Sequence, residues 1–74
     1  MKLKDILEYI DSLQDIQIIN ARTGKALTSV CYLNDNEFSE QVNLYKDCKV
    51  YGIASDKCDD GESFLVITII KEKQ

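Results

Sequence analysis

The chain contains no histidine and no proline, and only three glycines and three cysteines among its 74 residues. Without histidine there can be no Ser/His/Asp or Cys/His nucleophile and no imidazole metal ligand. Nor is there a side chain whose ordinary pKa suits it to carry protons near neutrality. Gly24, Gly52 and Gly61 stand far apart, so neither a GxGxxG turn nor a phosphate-cradling P-loop can be drawn. These absences remove most catalytic designs. The expectation is a protein that is not an enzyme, with no catalytic residue and no cofactor.

The cysteines are Cys31, Cys48 and Cys58, an odd number with no CxxC pair. Small secreted scaffolds use even counts at tight spacing, so the pattern points to the cytoplasm. Cys48 lies between Asp47 and Lys49, and Cys58 between Lys57 and Asp59. Neither has the electropositive surroundings that lower a thiol pKa. Cys31, between Val30 and Tyr32, reads as a packed strand residue.

Long apolar runs are also missing. The longest, Phe64 to Ile70, includes Thr68 and falls far short of the roughly 20 residues that span a bilayer. At the other end, Asp5, Glu8 and Asp11 interrupt any apolar region a signal peptide would need. Neither a membrane segment nor a secretory signal is expected.

What is present is ordinary for a folded domain: 45% apolar and 30% charged residues. No repeat, linker or low-complexity run divides the chain, so residues 1–74 read as one domain. A chain of this size buries only about 60% of its unfolded surface and seldom gains more than about 3–5 kcal/mol from its core alone. Oligomerisation, in the simplest case a homodimer, is therefore in play.

Apolar periodicity organises the chain. Leu3, Ile6, Leu7, Ile10 and Leu13 recur at helical spacing, predicting an amphipathic helix through Leu13. The β-branched segment Ile16–Asn20 favours a strand, Ala21–Lys25 a turn with Gly24, and Ala26–Tyr32 the returning strand of a hairpin. Asn34, Asp35 and Asn36 are helix-capping types, and Phe38, Val42 and Tyr45 follow at helical spacing, predicting one or two helical turns. Lys49–Ser55 resumes strand character, its smaller side, Val50, Gly52 and Ala54, expected beneath the helix. Asp56–Glu62 reads as a reversal through Asp60-Gly61, and Ser63–Lys71 as the best strand.

Phe64–Ile70 is apolar on both faces, which places that strand in the middle of a sheet. Glu62 on one side and Lys71, Glu72 and Lys73 on the other read as charged gatekeepers against aggregation. The predicted fold class is α+β: an N-terminal amphipathic helix on a small four-stranded antiparallel sheet. One helix covers only one face of such a sheet. Either the sheet curls into a barrel or a second copy covers the other face.

The net charge of −4 is regional. From Asn34 to Glu62 eight acids face three lysines, whereas from Met1 to Leu33 four acids cancel four bases. Direct nucleic-acid binding needs clustered Lys and Arg and is not expected. The acidic turn does not fit a calcium loop: with Gly61 at the loop glycine, Cys58 falls where a carboxylate belongs and Ile67 where the closing Glu belongs. No metal site is assigned. Tyr joins a large apolar face to a polar tip, making Tyr9 and Tyr45 candidate interface residues, while Tyr32 and Tyr51 read as sheet or core packing.

The opening Met1–Glu8, the strand end Ile18-Ile19-Asn20, the turn Thr23-Gly24-Lys25 and the stretch Leu44–Ile53 together resemble small proteins encoded by phages and prophages of Gram-positive bacteria. The resemblance is one of layout over nearly the whole length. It implies a mobile element in a bacterial cytoplasm, where small acidic proteins often bind host proteins. The leading expectation is thus a non-catalytic protein-binding module, an inhibitor of a host defence or nucleic-acid-binding protein. Its contacts to a basic surface would be Asp35, Glu37, Glu40, Tyr45, Asp47, Asp59, Asp60 and Glu62. Two alternatives stay open: an oligomer sequestering a nucleotide-like ligand, with Arg22 and Lys25 meeting a phosphate, and a self-assembling structural subunit.

Overall fold

A computed structural model describes residues 1–71. In chain order its elements are α1 (Leu3–Leu7), β1 (Asp15–Asn20), β2 (Cys31–Tyr32), α2 (Asn36–Asn43), β3 (Lys49–Lys57) and β4 (Ser63–Ile70). The fold is α+β, as the periodicity predicts. Of the expected gatekeepers, Glu72 and Lys73 lie outside the described residues.

α1 is shorter than its apolar stripe. The Lys2 N–H donates to Asp5 Oδ2 at 3.0 Å, closing the first turn. Leu3 and Ile6 are buried from this helix. The prediction of a helix through Leu13 is corrected, because Asp11 draws the backbone into a turn. Its Oδ1 accepts the Leu13 N–H at 2.8 Å and its carbonyl the Gln14 N–H at 2.9 Å. Short polar side chains compete with helical hydrogen bonds in this way. Leu13 consequently stands 66% exposed.

The hairpin after β1 forms with an interruption. Gly24 takes φ +75°, which glycine adopts without steric cost, and its N–H donates to Asn20 O. Ala26 faces Ile19 and Cys31 faces Ile16. Five residue steps on the return therefore span three on β1. Thr28 fills the gap: its hydroxyl accepts the Ile18 N–H at 3.1 Å and donates to Ser29 O at 3.0 Å. A side chain substitutes for part of the ladder, which is why the predicted Ala26–Tyr32 strand shrinks to two residues.

α2 begins as its sequence specifies, with Asp35 Oδ1 accepting the Phe38 N–H at 2.9 Å. Its Phe38 and Val42 are buried.

The strands lie in the order β2-β1-β4-β3. β4 is interior, as its two-sided apolarity predicts. The expectation of an all-antiparallel sheet is corrected: β1 and β4 run parallel, Ile16 opposite Leu65 through Asn20 opposite Ile69. The chain leaves β2 at one edge, returns through α2 to the other edge as β3, and the β3–β4 hairpin inserts β4 beside β1. Parallel strands are typically apolar on both sides, and Phe64–Ile70 has that composition. The barrel is likewise excluded: β2 and β3 stand at opposite ends of the strand order without pairing to each other, β3 is met at its start only by a bridge from Lys2 to Lys49, and a two-residue β2 offers too little length to close the sheet.

Between Val50 and Gly52 the β3–β4 register shifts, leaving Tyr51 as the extra residue of a bulge. Tyr51 is therefore 73% exposed, and Tyr32 is also exposed, rather than part of the packing. The shift also corrects which side of β3 faces the helices. Val50 pairs with Ile69 and Ile53 with Ile67, so Ile53, not Gly52 or Ala54, joins Val50 on that side.

Leu3, Ile16, Ile18, Phe38, Val42, Ile67 and Ile69 form the core, between the helices and one face of the sheet. Alternation sends Gln17, Ile19, Phe64, Val66, Thr68 and Ile70 to the opposite face, where Phe64 is buried and the other five are half-buried. Among the described residues no helix lies on that second face.

Candidate functional site

Strand direction sorts the charges by end. Where β1 and β4 begin stand Asp15, Asp56 with Lys57 opposite Ser63, and the turn carboxylates Asp59, Asp60 and Glu62. Asp15 faces Tyr32, and Asp35 and Glu37 follow directly from it at the same end. At the opposite end stand Arg22 and Lys25 in the turn after β1, Lys71 after β4, and Lys49, which Lys2 bridges. The regional acidity of the sequence thus becomes an acidic end and a basic end.

The predicted contact residues do not form one face. Asp35, Glu37, Asp59, Asp60 and Glu62 share the acidic end. Glu40 is exposed on α2. Asp47 lies near the basic end and pairs with Lys4 at 3.5 Å. Tyr45 is half-buried against the core, with Lys71 Nζ 5.7 Å from its ring centre. Arg22 and Lys25 are exposed and line neither cavity described below.

Within the acidic end the Cys58 thiol is held above its ordinary range, by desolvation first and then by the charges of Asp60, Asp15, Asp59 and Glu62. Thiolate is the nucleophilic form, so this environment suppresses reactivity. All three cysteines are free, and Cys31 and Cys48 pack against the core. Among the described residues no three Cys, Asp or Glu side chains converge to hold a metal ion.

Among the described residues, two cavities lie near these charges. The smaller, about 210 Å³, lies between the β2 edge and the start of α2, lined by Ser29, Cys31, Asp35, Glu37, Phe38 and Gln41. Asp35 is already committed there as the helix cap.

The larger, about 580 Å³, opens between α1 with its following turn and β3. Met1, Ile6, Ile10 and Ile53 give it an apolar floor and walls, Tyr9 stands over it, and Asp5 and Glu8 add carboxylates. Met1 is 74%, Tyr9 88% and Ile53 51% exposed, so large apolar side chains gather around an open groove instead of closing it. Tyr9 was legible in the sequence as an off-stripe aromatic. Ile10 and Ile53 were not, because their exposure depends on the early end of α1 and on the Tyr51 bulge. Comparison with protein families, curated proteins and solved structures returns no match.

Proposed function

We propose that this chain is a non-catalytic protein-binding module whose groove receives a basic, partly apolar segment of a partner protein. The observation that carries the reading is the meeting of exposed Met1, Tyr9 and Ile53 with Asp5 and Glu8 around one groove. Apolar anchors supply affinity, while the carboxylates select lysine or arginine beside them. The acidic end, with Asp35, Glu37, Asp59, Asp60 and Glu62, adds a field that draws a positively charged surface inward and repels nucleic acid. The lack of histidine and the raised Cys58 thiol both favour binding over catalysis. In the phage setting that the layout resembles, the partner is a host protein with a basic surface in the bacterial cytoplasm. A defence or nucleic-acid-binding protein, inhibited by occupation of its phosphate groove, has that chemistry.

The test is capture from bacterial lysate at low and high salt, comparing wild type with Tyr9→Ser/Ile53→Ser and with Asp59→Lys/Asp60→Lys/Glu62→Lys. The proposal expects one dominant protein, lost with the groove variant and weakened by salt and by the charge reversal. Retention unchanged in the groove variant contradicts it.

A further inference from the structure

Ile19, Val66, Thr68 and Ile70 lie on the second face of the sheet, with Gln17 beside Val66 and the buried Phe64 at one end, and among the described residues no helix lies above them. Gly52 belongs to the same face, opposite Thr68, and a Cβ built there meets nothing within 4 Å. With Ala54 opposite Val66, small residues on β3 leave room for a second sheet at the usual ~10 Å spacing. The groove lies on the helix side, so the two surfaces are independent.

Charge identifies the occupant. Lys49, opposite Ile70, and Asp56, opposite Phe64, project from this face at the two ends of β3. Stacking two copies about a two-fold axis parallel to the strands would set acidic end on acidic end. An axis across the strands instead lays β3 over the β3 of the second copy in the reverse direction. Lys49 then faces Asp56 of the second copy, and the reciprocal pair forms by symmetry. That axis passes between Val66 and Thr68 on β4, between Gly52 and Ala54 on β3 and between Gln17 and Ile19 on β1, where the surface carries no charge. We propose that the open face docks a second copy of this chain in this crosswise, charge-complementary arrangement.

The eight residues of β4 span about 26 Å, and three strand spacings give a face on the order of 400 Å² per copy. This is about half of a standard interface, so a reversible dimer in the micromolar range is expected.

Sedimentation velocity from about 5 to about 500 µM tests it, a range that brackets such affinities. Wild type should pass from monomer to dimer and dissociate more readily as salt rises. Val66→Lys should remain monomeric with its far-UV circular dichroism unchanged. Lys49→Asp and Asp56→Lys, both at exposed positions, should each weaken the dimer about tenfold, and the double swap should recover most of that loss. A wild type that is monomeric throughout overturns the proposal. So does a folded Val66→Lys variant that dimerises normally, or a double swap no better than either single change.

Discussion

On β4, Ile67 and Ile69 are fully buried, while Val66, Thr68 and Ile70 beside them are only half-buried. The chain sets its two amphipathic helices on one side of an apolar strand and leaves most of the other, beyond the buried Phe64, to water or a partner. Stability should therefore reside in one face and association in the other.

Ile67→Ala is expected to cost about 3–4 kcal/mol, close to the whole margin of a domain this small, and to leave the protein largely unfolded in a urea titration. Val66→Ala, one residue away, should cost less than about 1.5 kcal/mol at concentrations where the chain is monomeric. Similar losses at both positions would erase the distinction between the faces. Thr28→Val comes next, at about 1–3 kcal/mol, because it leaves the Ile18 N–H without its acceptor beside the core. The same titration measures it.

Asp35→Ala removes the α2 cap and should cost about 1 kcal/mol, with a matching loss of helical signal. The smallest stability effect concerns the ends. Asp47→Ala breaks an exposed ion pair with Lys4 and should change stability by no more than a few tenths of a kcal/mol. At the acidic end, Cys58 should react with iodoacetamide at pH 8 more slowly than a free thiol, since its raised pKa reduces the thiolate fraction at that pH. Asp60→Asn should speed the reaction.

Elements with a local cause were readable in the sequence. Asp35 and Phe38–Val42 specify α2, Asp60-Gly61 the reversal, and Phe64–Ile70 an interior strand. Where the outcome depended on distant partners, local patterns were silent or misleading. Nothing between Ile16 and Asn20 says that its neighbour will be parallel β4, because that pairing is decided by the path of α2 across the sheet. The Leu3–Leu13 stripe overran its helix because Asp11 diverts the backbone. For the candidate site, Asp59, Asp60 and Glu62 are acidic by composition, and their meeting with Asp15 follows from strand register. The groove was hidden because Ile53 reaches it only through the Tyr51 bulge.

The central claim is that the groove takes a basic, partly apolar segment. Its most direct test is an amide ¹H–¹⁵N titration of the labelled protein with a synthetic amphipathic peptide of alternating lysine and leucine blocks. Saturable shifts centred on Ile6, Tyr9, Ile10 and Ile53, abolished in Tyr9→Ser/Ile53→Ser, are the predicted result. Shifts confined to the turn from Cys58 to Glu62, or no saturable shifts at all, would contradict it.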